Sequence, residues 1–201
     1  KKSFEHVADL DFAIAGLDKG DDSCDAFLST SDGIYAYTVA DNSCTEVINW
    51  LNSDIDTNVN GTALCIDRDN IIIPYYDNAS YESLVKYIKK VDEQTLEKIN
   101  NKKNIVLACD SLPDLLKEKI VEFNQENDNY RILVNDYYKY HNYADGIYSS
   151  GLNKLNAELI EGKIPDIIIG NKSLDTNRYA QLGIFADLTP YAQKAGLIND
   201  E

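Results

Sequence analysis

Histidine, basic charge and long apolar runs are all scarce in this chain. Only His6 and His141 occur among 201 residues. Zinc is therefore unsupported, and a Ser/His/acid or Cys/His catalytic set has almost nothing to draw on. The cysteines, Cys24, Cys44, Cys65 and Cys109, form no CxxC pair. Cys65 and Cys109 sit inside apolar runs, as buried inert thiols do. Cys24 and Cys44 lie near turns and can pair in an oxidising compartment, although four cysteines allow three connectivities and the sequence does not choose among them.

No stretch approaches the ~18 apolar residues of a membrane helix, so the chain reads as soluble. Against 34 Asp and Glu stand 19 Lys and Arg, a formal charge of -15. A phosphate backbone is normally held by clustered cations with release of counterions, so nucleic acid and anionic membrane surfaces are poor partners. An initiator Met and an apolar leader are missing at Lys1, as expected of a processed or shortened piece of a longer protein.

What remains is ordinary for a folded protein, 44% hydrophobic and 26% charged residues. The length suits one large domain or two small ones. Two periodicities favour two parts, residues 1–102 and 103–201. In the first, short apolar runs such as "DAFLST", "IYAYTV" and "CTEVINWL" alternate with polar turns, predicting antiparallel strands. The region also matches itself at a shift of 37, Ala26 against Ala63, giving repeats at about 25–52 and 62–89. Ile34 then falls on Ile71 and Trp50 on Tyr87. Three or four strands at this spacing are the mark of a propeller blade, although two copies cannot close a ring.

In the second part strands and helices alternate. "NIVLAC" is apolar throughout, as in a strand covered on both faces. Ser111-Leu112-Pro113-Asp114 predicts an N-cap, a Pro at the first helical position and an acid in the first turn. "YRILVNDY" and "PDIIIG" supply two more strands, with a helix of Leu152, Leu155 and Leu159 between them that Gly162 stops. This β-α-β-α-β order implies parallel strands with the first in the middle, and ligands at their carboxyl ends. The fold class is therefore α+β, an antiparallel β-repeat, propeller-blade-like module followed by a partial α/β parallel-sheet lobe.

Several stretches carry candidate chemistry. Gly170-Asn171-Lys172-Ser173 fails the phosphate-loop spacing, because Asn171 separates Gly170 from Lys172 and Gly162 lies eight positions before Gly170. Asp110 and Asp136 at strand ends allow a metal-assisted phosphoacceptor reading, against which Asp110 is followed at once by a capping Ser. Asp56, Asn58, Asn60 and Asp67 match a calcium loop with Gly61 at its turn, but Asp67 replaces the long bidentate Glu. "NDYYKYHNY" concentrates tyrosines, among them Tyr137 and Tyr138, whose flat rings with polar tips suit sugars and protein surfaces alike.

"NIVLACDSLPDLLKEKIVEFNQENDNYRILV", "LNAELIEGKIPDIII" and "QLGIFADLTPY" together resemble the first part of the extracellular solute-binding family, the receptors of ABC importers, in its carbohydrate-type branch. The resemblance implies a two-lobed receptor that captures solute without catalysis, is exported as a cell-surface lipoprotein, and delivers to an ABC permease. It implies no cofactor beyond the candidate Ca²⁺. Asp110, Ser111, Gly170, Asn171 and Lys172 then fall on the cleft side, joined by Tyr137 and Tyr138, with the opposite wall expected outside this chain. The first part resembles, loosely, the propeller-like repeats that some large gut-bacterial lipoproteins carry ahead of such a region. The rival function is a protein-interaction module built on the β repeats and the tyrosine-rich loop. Open strand edges make a homodimer the expected assembly.

Overall fold

A computed structural model describes residues 6–10, 12–55, 63–77, 80–141, 150–170 and 174–198. The architecture is α+β; the described residues form two antiparallel sheets and one parallel sheet, with no closed propeller among them. Two compact units are present, residues 1–169 and 170–201.

The first sheet is a meander of β1 (Gly16–Lys19), β2 (Ala26–Ser29), β3 (Gly33–Thr38) and β4 (Ser43–Asn49). Its alternation sorts side chains to two faces. Phe27, Ile34 and Ala36 enter one core, whereas Leu28, Tyr35 and Tyr37 enter another, where Leu10 and Phe12 pack on them. The second sheet holds β5 (Leu64–Asp67), β6 (Asn70–Asp77) and β7 (Glu82–Lys89) in that order. Its Cys65, Ile71 and Ile73 join Phe27, Ile34 and Ala36 in the same core. Fully burying Phe27 or Ile34 contributes about 1.5–3 kcal/mol each.

Ile34 and Ile71 are equivalent at the 37-residue shift, yet both point into this shared core. Successive propeller blades related by one rotation would instead turn equivalent residues the same way round the ring, one towards its neighbour and the other away from it. The first hairpin pairs Phe27 with Ala36 and the second pairs Leu64 with Ile72, a register one residue shorter. With a side-chain period of two, a one-residue slip exchanges the faces of a strand.

No disulfide joins the four cysteines. Cys24 lies in the core between the sheets and Cys44 packs on the opposite side of the first sheet, so the pair considered from sequence does not form.

After the second sheet comes α1 (Glu93–Asn100), capped by the Asp92 carboxylate, which accepts from the Thr95 amide at 2.8 Å. The parallel sheet then follows as β8 (Lys103–Cys109), α2 (Asp114–Glu126), β9 (Tyr130–Asp136), α3 (Ser150–Ile160) and β10 (Ile167–Ile169). Its order is β10-β8-β9, all parallel, with the first strand in the middle as the crossover rule predicts. Helix α2 starts one step later than its sequence suggests. Pro113 occupies the N-cap position without a side-chain cap, and Ser111 stays outside the helix.

Gly162 ends α3 at φ 84°. Its own amide donates to Leu159 and that of Lys163 donates to Glu158, the left-handed closure that glycine makes cheap. The second unit contains α4 (Thr176–Gln181), capped by Asp175, and α5 (Thr189–Lys194), with Pro190 in its first turn.

Candidate functional site

One short segment of the β module, residues 50–54, reaches both cores and the edge of the parallel sheet. Trp50 belongs to the core between the antiparallel sheets, and Leu51 to the core of the parallel sheet with Leu107, Cys109 and Val134. A 3-10 turn, Leu51–Ser53, then sets Asn52 against β9. The Val134 amide donates to Asn52 Oδ1 at 2.7 Å, and Asn52 Nδ2 donates to the Val134 carbonyl at 3.1 Å. Asn124 of α2 does the same two residues earlier, accepting from the Ile132 amide at 2.6 Å and donating to its carbonyl at 3.0 Å. Two side-chain amides thus take the place of a further strand along the free edge of β9, where unpaired backbone groups would otherwise attract another chain.

That junction leaves a cavity of about 190 Å³ at the carboxyl ends of β8 and β9. From the parallel sheet and its loops come Ser111, Leu112, Lys117, Val134, Asp136 and Tyr138. The β module supplies the rest, including Ser31, Asp32 and Trp50. The two parts of the chain thus form facing walls of this cavity. Asp32 is held by donors: Thr30 Oγ1 at 2.6 Å, the Tyr35 hydroxyl at 3.2 Å and Lys139 Nζ at 2.8 Å. Burial pushes the Asp136 carboxyl above its ordinary value of 3.8, and Asp32 and Asp110 add to the effect against a hydrogen bond from the Tyr138 amide. Burial likewise takes the Cys109 thiol up to about 12, so it is no nucleophile at neutral pH.

Of the residues predicted from sequence, Ser111 and Tyr138 line this cavity. Asp110 is buried and its Oδ1 lies 3.0 Å from His141 Nε2. Tyr137 is buried too, and its hydroxyl donates to Glu158 of α3. Gly170 directly follows β10, and a Cβ there would lie 2.5 Å from Leu174. Asn171 and Lys172 lie outside the described residues, as do Asp56, Asn58 and Asn60 of the calcium motif. Asp67 is described, and its carboxylate accepts from the Asp69 amide and the Asn70 side chain, closing the β5–β6 turn.

Sequence reasoning missed Asp32, Trp50 and Lys117. Asp32 carried a signal, a turn dipeptide with Gly33, but nothing local tells that this turn meets a loop more than 100 residues away. The Asp110–His141 pair was missed because sequence distance hides it. Both side chains are nearly enclosed, so the pair braces the turn rather than presenting a base to the cavity.

Comparisons of the chain with protein-family models, with curated proteins and with solved structures return no match.

Proposed function

We propose that the chain captures a small polar solute, a carbohydrate or close analogue, without converting it, as part of an exported bacterial receptor of the ABC-import kind. The supporting observation is the cavity at the ends of β8 and β9. There the hydroxyls of Ser31 and Ser111 and the carboxylates of Asp32 and Asp136 share one space with the rings of Trp50 and Tyr138. Acceptor-rich walls suit a ligand covered in hydroxyl donors, and aromatic faces suit the C–H surface of a sugar ring. At about 190 Å³ the cavity is smaller than the ~300–1,000 Å³ of clefts for drug-sized ligands, so one ring is the size that fits. On this reading the parent protein is a cell-surface lipoprotein that delivers to a permease, an inference that rests on the sequence resemblance alone.

The phosphoacceptor alternative gains little, since the Asp110 carboxylate is buried beside His141 and does not line the cavity. A protein-interaction role has one observation in its favour. Leu64, Ile66, Val85 and Tyr87 leave an apolar outer face on the β5–β7 sheet exposed.

The test is a titration of the intact chain with mono- and disaccharides, read by the fluorescence of its single tryptophan, Trp50, and by calorimetry. Saturable binding that Ser111→Ala and Tyr138→Ala each weaken about tenfold supports the reading. A folded chain silent to the whole panel overturns it.

A further inference from the structure

A second and larger cavity, about 730 Å³, opens among β4, the β6–β7 hairpin and α1, and shares no lining residue with the first. Its volume falls within the ~300–1,000 Å³ of clefts that enclose small organic ligands. The apolar part of its wall includes Ile55, Ile88, Leu96 and Ile99. Helix α1 buries none of its residues, although Leu96 and Ile99, three apart, share one face. A helix of this pattern normally closes its apolar stripe against a core. Here the stripe borders a void.

The same cavity gathers cations in a chain of net charge -15. Arg68, Lys89, Lys90 and Arg131 all contribute to it. Arg131 is the unusual one, at 8% exposed. Its Nη2 donates to the Asn52 carbonyl at 2.7 Å and to Asp54 Oδ1 at 3.2 Å, and its Nε finds no hydrogen-bond partner among the described residues. A guanidinium has five donors, so the part of Arg131 that lines the cavity can still meet an anion.

We infer that this cavity binds a small amphipathic monoanion, a carboxylate on an aliphatic body. Arg131 and the neighbouring lysines meet the charge, while Ile88, Leu96 and Ile99 enclose the body. A single negative charge fits better than a phosphate dianion, because Glu46, Asp54 and Asp69 stand in the same walls.

The probe is decanoate, titrated calorimetrically into the intact chain beside decanol and decyl phosphate. Decanoate is expected to bind saturably, with the other two at least about tenfold weaker. Leu96→Trp, made at an exposed helix position, should fill the cavity and abolish decanoate binding while leaving the thermal melt unchanged. Lys89→Glu with Lys90→Glu should weaken decanoate without affecting a sugar titration. No decanoate heat from a folded chain overturns the inference, as does equal binding of decanol, tighter binding of decyl phosphate, or binding that Leu96→Trp leaves intact. None of these results bears on the sugar reading, whose cavity is separate.

Discussion

Lys139 Nζ donates to Asp32 Oδ2 at 2.8 Å, tying the turn after β9 to the tip of the β2–β3 hairpin. The two side chains are 17% and 12% exposed, so the charges are largely withdrawn from water. Burial opposes the Lys139 charge, but hydrogen bonds to Asp32 and Tyr35 outweigh it and hold its pKa above the ordinary value. Lys139→Met leaves Asp32 buried without its cation and should cost about 3 kcal/mol in chemical denaturation. Asp32→Asn combined with Lys139→Met should recover more than half of that loss. With Asp32→Asn also measured alone, single losses that simply add in the double variant would show that the pair is not coupled.

The amide caps on β9 give a second expectation. Asn124→Ala strips both backbone groups of Ile132 at a buried position, and a loss of about 3 kcal/mol is expected. Asn52→Ala acts at a less buried position and should cost less. Hydrogen exchange at the Val134 and Ile132 amides should speed up selectively in the corresponding variant, which a general loosening would not produce.

Gly151 sits in the first turn of α3 where the helix meets the tyrosine-rich turn. A Cβ on it would lie 2.3 Å from the Tyr137 carbonyl oxygen and 3.0 Å from Asp110 Oδ1. Gly151→Ala must push the helix away, at a cost of about 1–3 kcal/mol despite the better helix propensity of alanine. A variant as stable as the parent, measured by thermal melting, would contradict this close approach.

Asp136 sets an acid-side pH dependence. Its folded pKa is raised, chiefly by burial, so the native state holds the proton more tightly than the unfolded one. Its stabilising contribution is full below the ordinary value of 3.8 and is lost as pH rises through the higher folded value. Asp136→Asn keeps the acceptor for the Tyr138 amide and should stabilise the chain at neutral pH, with no difference well below pH about 4. Melting curves across that range check the sign.

Tyr35 acts at the alkaline end. Burial raises its hydroxyl from 10.0 to about 12, against the opposing hydrogen bond from Lys139. The Tyr35 contribution is therefore constant below pH 10 and is lost as pH rises towards 12, with Lys139 acting in the same direction. Tyr35→Phe should flatten this fall in melting temperature, and an unchanged profile would show that the hydroxyl has no part in it.

Much of the lobe was legible in the sequence because its rules are local. Ile167–Ile169 read as a strand, Gly162 as a helix stop, and the placing of β8 between its neighbours followed from crossover handedness. The β strands were legible by alternation, although β1 and α1 were not, since Gly16–Lys19 has no apolar run and α1 buries nothing. The site was only half legible. Ser111 came from strand-end position and Tyr138 from the concentration of tyrosines, whereas Asp32 and Trp50 reach the cavity through tertiary contacts, and the register slip of β5 against β6 comes from an irregularity between Cys65 and Asp67 rather than from the turn.

That shared core sets a limit on assembly. Ile34 and Ile71 meet as like with like, so the contact is consumed by the two repeats that make it. A head-to-tail array leaves a fresh copy of its joint at each end and grows more stable with every unit added. Here a third repeat would find the corresponding patch already occupied, and could dock only by a different face.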